Sequence, residues 1–165
     1  MAIQWYDKVI KEFSGSDGAE LAYQRKLFIL IDETESLQSS FQTSMRSSES
    51  NKKLSELMVT ADAKSLRLKE AKESANEAQK YSDLANEKVL EVLKTFTEFE
   101  TTFPNSTYTQ ALRYQIAQMY WKGDDDLKTK EWLQKIIDVG KGEQTFYTET
   151  AKARLENIKK QPTND

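Results

Sequence analysis

The 165-residue chain carries 24 Lys and Arg against 27 Asp and Glu, a formal net charge of -3, and it has neither Cys nor His. These two absences exclude disulfides, Cys/His zinc sites, Cys nucleophiles and Ser-His-Asp triads. Lys and Glu alternate along the same stretches, so no clustered positive face is predicted and nucleic acid is not an expected partner. No apolar run reaches the roughly 18 residues of a membrane span, so no direct membrane span is predicted either.

The composition of the chain predicts an all-α fold. Residues 19–103 contain no Gly or Pro and are rich in Ala, Leu, Lys, Glu, Gln and Ser, which is typical of helix interiors. We predict no strands. Turns are expected where Gly and Pro cluster with polar residues, at 14–18, 104–106, 123–126, 140–142 and Pro162.

Apolar residues recur with a helical period at both ends of the chain. The N-terminal part predicts helices whose apolar faces lie within 6–13, 19–31 and 37–45, with an acidic turn at 32–35 and a polar helix end at 47–50. The C-terminal part predicts helices with apolar faces within 112–120, 127–137 and 147–158. We interpret the acidic run at 124–126 as a helix cap, because it lacks the Gly and the distal Glu of a calcium-binding EF-hand loop.

The middle of the chain follows a heptad pattern. A seam that alternates steps of three and four runs from Leu54 to Phe99, interrupted by one Lys and one Ser. Its small members, five Ala and one Ser, would let the helices approach closely and bury little apolar area each, as in a thin coiled coil. At Tyr81–Asp83 we favour a helix break, and the alternative is one helix that continues to residue 102.

Two stretches of the sequence resemble each other and indicate an internal repeat. Phe13–Ser16 and Phe103–Ser106 each end an amphipathic helix, and another helix end is expected 34 residues after each. Together with their neighbours they resemble the tetratricopeptide repeat of the bacterial cell-envelope type. The matching residues are Tyr6, Phe13, Ser16, Ala19 and Ala22 near the N-terminus and Phe96, Phe99, Phe103, Pro104, Ser106, Tyr108, Ala117, Tyr120, Gly123 and Asp124 in the second stretch.

The resemblance implies a TPR-like α-solenoid of stacked antiparallel helix hairpins, one of them extended and coiled-coil-like. The predicted domains are TPR-like helices with a truncated first repeat in 1–50, the extended hairpin in 51–106, a TPR-like repeat with a capping helix in 107–161, and a disordered tail in 162–165. The chain would open within the second helix of a repeat, so we expect it to be part of a longer protein. A location in the bacterial envelope is implied by the resemblance alone.

Tandem helix hairpins expose a concave groove that accepts an extended or helical peptide of a partner. Tyr, Trp and Arg are favoured anchors of such interfaces. The candidate groove residues are Arg113, Tyr114, Gln118 and Trp121 on one helix and Tyr23 and Lys26 on an earlier one. The alternative is that Tyr114 and Trp121 pack against the neighbouring hairpin.

We therefore expect a non-enzymatic scaffold or adaptor that binds another protein in a bacterial envelope assembly and needs no cofactor or metal. The alternative is a self-associating structural protein, whose Ala-rich helices in 51–85 pair between chains as a coiled coil. A dimer that is abolished by charges at Ala71 and Ala75 would favour this alternative.

Overall fold

The computed structural model describes residues 2–140 and 145–160, without the side chain of Lys159. Within these residues the chain forms six α-helices and no strand, so the all-α prediction is confirmed. The helices are α1 (Ala2–Glu12), α2 (Asp17–Leu57), α3 (Ala61–Thr102), α4 (Thr109–Lys122), α5 (Asp126–Val139) and α6 (Phe146–Lys160). None of these helices is both long and apolar enough to cross a membrane. The predicted tail at 162–165 and most of the predicted turn at 140–142 lie outside the described residues.

The chain divides into two compact units. One consists of residues 1–31 together with 91–165, and the other consists of residues 32–90. Both α2 and α3 contribute residues to each unit. Residue 50, where the first domain was predicted to end, lies inside α2.

Three predicted interruptions of the long helices are wrong. α2 continues through the acidic segment 32–35 and the serine-rich segment 47–50, and α3 continues through Tyr81–Asp83. In the second segment the serine hydroxyls contact α3 and do not cap α2: Ser48 Oγ donates to the Ala71 carbonyl at 2.8 Å, and Ser47 Oγ lies 3.3 Å from Ser74 Oγ. No Gly or Pro is present in these segments to open the helix.

The connection between α2 and α3 lies instead at residues 58–60, a site that the sequence pattern did not mark. Thr60 starts α3, since its Oγ1 accepts a hydrogen bond from the backbone N–H of Ala63 at 3.3 Å. The preceding residues, Met58 and Val59, are apolar and contain none of the usual turn signals.

In the unit of residues 32–90, α2 and α3 pack antiparallel through small side chains. The contacts that show the direction are Glu33 with Lys88 at 2.9 Å, Ser47 with Ser74 at 3.3 Å, Ser48 with Ala71 at 2.8 Å and Asn51 with Arg67 at 3.3 Å. The numbers fall on α3 as they rise on α2, as an antiparallel pair requires. Ser44, Ser48 and Ser55 are buried on α2, and Ala71, Ala78 and Ala85 are buried on α3.

The exposure of the seam residues shows where the predicted heptad seam is correct. Ala71, Ala78, Ala85, Val92 and Phe99 are each at most 6% exposed, so the seam is confirmed at every seventh position from 71 to 99. It is wrong towards the α2–α3 connection, where Leu54, Leu57 and Leu68 are 38%, 73% and 46% exposed. For Leu54 and Leu57, which lie on α2, the reason is that a single heptad register cannot pass through the reversal of the chain at 58–60. Leu68 lies on α3, and its exposure has no structural explanation.

The other unit has a core of large side chains. Tyr23 of α2 packs edge-on against Phe99 and Phe103, with ring centroids 6.0 and 6.1 Å apart, and Phe96 of α3 packs edge-on against Trp132 of α5 at 5.5 Å. Edge-to-face pairs of this kind stabilise beyond the area that they bury. The consecutive helices α4, α5 and α6 each pack on the next, and α4 also contacts α6.

The start of α5 confirms the capping interpretation of the acidic run. The side chain of Asp125 accepts a hydrogen bond from the backbone N–H of Lys128 at 2.9 Å, and Asp126 lies in the first turn, where negative charge is favourable. Asp124 adopts a positive φ of 60°, which turns the chain between α4 and α5.

Candidate functional site

Four of the six predicted groove residues lie on α4. Its apolar residues Leu112, Ile116 and Met119 are almost completely buried and fix the orientation of the helix. Trp121 projects from the last turn with 45% of its surface exposed, whereas Tyr114, two turns earlier, is 9% exposed. α4 therefore carries one exposed and one buried aromatic side chain on the predicted groove face.

Arg154 of α6 joins these two aromatic residues. Its guanidinium carbon lies 4.0 Å from the centroid of the Trp121 ring, and its Nη1 donates a hydrogen bond to the Tyr114 hydroxyl at 3.3 Å. Tyr114 also packs against Tyr147 of α6, with ring centroids 6.0 Å apart. We call the surface formed by Tyr114, Gln118, Trp121, Tyr147 and Arg154 the α4/α6 surface.

Arg154 differs from the other half-buried arginines in its contacts. The other two half-buried arginines each pair with a carboxylate, Arg67 with Glu70 and Arg113 with Glu100. Arg154 makes its contacts with Tyr114 and Trp121, and no carboxylate among the described residues pairs with it. A guanidinium on an aromatic face keeps planar N–H groups that can bind a carboxylate in a bidentate manner.

The remaining predicted groove residues are held by contacts within the chain. Arg113 pairs with Glu100, and its side chain is 14% exposed. Tyr23 belongs to the aromatic core. Lys26 pairs with Asp7 of α1 at 2.7 Å, with its side chain 13% exposed. Gln118 is half-buried on α4.

Sequence reasoning missed Arg154. It lies seven residues after Tyr147, so both fall on one face of α6, and this spacing was a signal that could have been read. The link to α4 could not be read, because Arg154 follows Tyr114 by 40 residues in the chain.

The described residues contain no group of three or more Asp or Glu side chains that could hold a metal ion. An open depression of about 590 Å³ lies in the unit of residues 32–90. It is lined only by polar and charged side chains, Asn51, Glu70, Glu73, Ser74, Asn76, Glu77 and Lys80. Small-molecule sites are mostly apolar, so this lining does not make a ligand pocket.

Comparisons of this chain with protein-family models, with curated proteins and with solved structures give no match. The α4/α6 surface is thus interpreted from its own geometry.

Proposed function

We propose that this chain is a non-enzymatic scaffold with TPR-like stacked helix hairpins, and that it binds a segment of another protein on the α4/α6 surface. The observation that carries the proposal is the half-exposed indole of Trp121, with Arg154 held against it and no carboxylate of residues 2–140 or 145–160 paired to that arginine.

The chemistry of the surface favours a protein ligand. Trp, Tyr and Arg dominate the energetics of protein interfaces, since each combines a large apolar area with a polar group. Arg154 is already positioned by two contacts, so little side-chain entropy is lost when it binds a partner. The bound segment would place an apolar side chain against Trp121 and an acidic group on Arg154.

The packing of α4, α5 and α6 supports the TPR-like part of the proposal. In tandem helix hairpins the first helix of one repeat packs on its second helix and also on the first helix of the next repeat. α4 contacts both α5 and α6 in this way. A bacterial envelope assembly is the setting that the sequence resemblance implies, and the function as an adaptor does not depend on it.

The rival proposal, self-association through the Ala-rich helices, requires the small face of α3. Ala71 and Ala78 are each 1% exposed within a single chain, and the Ala71 carbonyl accepts a hydrogen bond from Ser48 of α2. A charge at Ala71 would therefore disrupt the packing of the chain itself and would not test a dimer. This burial favours the adaptor over the rival.

Site-specific photo-crosslinking tests the proposal. Benzoylphenylalanine in place of Gln118 on α4 should capture one partner in an extract of the source organism, and mass spectrometry identifies it. The matched control carries the same group at Gln134, an exposed glutamine of α5, and should not capture that partner.

The affinity of the purified partner for variants of the chain then tests whether it binds at the α4/α6 surface. Trp121→Ala and Arg154→Gln should each weaken binding by about tenfold or more, as expected for interface anchors. Trp5→Ala and Arg25→Gln change the same residue types at exposed positions elsewhere and should leave the affinity unchanged. If all four variants bind alike while their circular dichroism stays native, the α4/α6 surface is not the binding site.

A further inference from the structure

The connection between α2 and α3 exposes apolar side chains where a helix hairpin ordinarily places polar ones. Val59 is 99% exposed, Leu57 is 73% exposed, and Leu54 and Leu66 in the adjoining turns are 38% and 56% exposed. Turns of this kind usually carry Gly, Asn, Asp or Ser. Clustered aliphatic side chains at one end of a hairpin leave apolar area in water that a partner surface can bury.

The charges around this connection differ from those of the rest of its unit. Residues 51–69, which we call the hairpin tip, contain five Lys or Arg and two Asp or Glu, a net charge of +3. The other residues of the unit, 32–50 and 70–90, contain four Lys or Arg and nine Asp or Glu, a net charge of -5. Arg67 and Lys69 pair with Glu70 and Glu73 of that remainder. Lys52, Lys53 and Lys64 therefore carry the charge that makes the tip the positive end of the unit.

Exposed apolar side chains together with positive charge favour some binding partners of the tip over others. Two copies that met tip to tip would bring like charges together, which opposes association. An anionic surface, in contrast, attracts the tip and repels the acidic remainder of the unit, so it would meet the tip first. Aliphatic side chains at the tip can enter the interface of a bilayer while the lysines stay at the level of the headgroups.

We propose that the hairpin tip binds reversibly to the surface of an anionic lipid bilayer. Leu57 and Val59 insert into the interface between headgroups and acyl chains. Lys52, Lys53 and Lys64 contact the lipid phosphates. This inference is independent of the α4/α6 surface, which lies in the other unit.

A fluorescent label at the tip tests the insertion directly. The chain has no Cys, so a single introduced Cys can be labelled with an environment-sensitive nitrobenzoxadiazole group. With the label on Val59→Cys, vesicles of equal parts phosphatidylcholine and phosphatidylglycerol should shift the emission to the blue. The control label, on Leu90→Cys at another exposed position of the same unit, should not shift. Vesicles of phosphatidylcholine alone should bind the full chain much more weakly.

Substitutions separate the apolar and the electrostatic contributions. Leu57→Ser with Val59→Ser should lower the vesicle partition coefficient by about tenfold or more, because two buried side chains are lost. Leu84→Ser with Leu90→Ser removes two exposed leucines elsewhere in the unit and should leave the vesicle partition coefficient unchanged. Lys52→Gln with Lys53→Gln should also lower it by about tenfold at low salt, and added salt should weaken binding of the unmodified chain.

Three outcomes overturn the inference. One is no binding of the full chain to the anionic vesicles. Another is binding that the serine substitutions at Leu57 and Val59 do not weaken. The third is a dimer in sedimentation that those same substitutions dissociate, since it would assign the tip to a second copy of the chain.

Discussion

The hydroxyl of Tyr120 on α4 is a titratable group whose pKa is changed by burial. The side chain is 7% exposed, and its pKa is raised above the ordinary 10.0, chiefly because burial disfavours the phenolate. The nearby Lys128 acts in the opposite direction, and the carboxylates of Asp125 and Glu131 add to the increase. The neutral phenol is therefore the form that the folded state prefers.

The raised pKa predicts a loss of stability in alkali. The folded protein holds the phenol proton more tightly than the unfolded chain, so the free energy of unfolding should fall as the pH rises past about 10. Tyr120→Phe keeps the ring and removes the proton, so its free energy of unfolding should fall less than that of the unmodified chain. Urea unfolding at about pH 9 and about pH 11 measures the difference. Tyr108→Phe, at a half-exposed position, is the control and should behave like the unmodified chain.

Two adjacent serines of α2 make one buried and one exposed hydrogen bond, so their substitutions can be compared. Ser48 is 1% exposed and donates to the carbonyl of Ala71 at 2.8 Å, whereas the exposed Ser47 meets the Ser74 hydroxyl at 3.3 Å. Replacement by Ala improves helix propensity equally at both positions. Ser48→Ala should therefore unfold with a free energy about 1 kcal/mol lower than Ser47→Ala. Equal stabilities in urea titrations would show that the Ser48 bond does not stabilise the α2–α3 pair.

At the scale of the helices, Gly140 sets how closely the end of α5 approaches α6. A Cβ there would lie 2.5 Å from Cγ2 of Thr148 and 3.2 Å from the Ile136 carbonyl oxygen. The φ of Gly140 is -65°, so the close approach, and not backbone strain, requires glycine at this position.

Gly140→Ala should destabilise the protein by about 1–3 kcal/mol, since the added methyl forces neighbouring atoms apart. The control is Gly18→Ala in α2, where the nearest atom to a Cβ, Ser16 Oγ, is 3.6 Å away. This control should be neutral or stabilising by up to about 1 kcal/mol. Adding Thr148→Ser to Gly140→Ala removes the Cγ2 methyl and should restore part of the loss in thermal or urea unfolding. Without such a recovery, the contact with Thr148 is not the cause.

At the scale of the whole molecule, the two units differ in what they bury. The unit of residues 32–90 packs serines against alanines, whereas the other unit buries Leu, Ile, Met and aromatic side chains. Small side chains remove little apolar area from water, so each contributes less to local stability. A region whose side chains contribute less to stability unfolds locally at a lower free energy.

Hydrogen exchange should show the difference. Backbone amides within 40–80 should exchange faster than those within 110–137, although both segments are mainly helical. Mass spectrometry of peptides after exchange measures the two rates in one sample. Equal protection would mean that the small-residue pair is as stable locally as the α4–α6 helices.

The sequence pattern found the helices more reliably than their ends. The predicted turns at 14–18, 104–106 and 123–126 each contain Gly or Pro, and each coincides with a connection between helices, although α2 already begins at Asp17 and α5 at Asp126. The turn at 58–60 contains neither, and the serines at 47–50 mimic a helix end because Ser is common at caps. Helix ends without Gly or Pro are fixed by what packs on either side, which a local pattern does not contain.

The candidate site was predictable only where it depends on spacing within one helix. The face of α4 that carries Tyr114 and Trp121 followed from spacing, since residues three and four apart share a face. Arg113 was assigned to that role because it neighbours Tyr114, and Lys26 because it lies at the equivalent place on an earlier helix. The structure pairs both with carboxylates from other helices. Such pairs depend on contacts between segments that are distant in the chain.

The sequence by itself determined that the protein is helical and that thiol and imidazole chemistry is absent, because both follow from composition and local period. Only the tertiary structure decided where the chain turns from α2 into α3 and which arginine packs on the Trp121 ring at the α4/α6 surface. The physical reason is that helix formation is local in sequence. The reversal at 58–60 and the seating of Arg154 on Trp121 depend instead on packing between helices that sequence distance does not reveal.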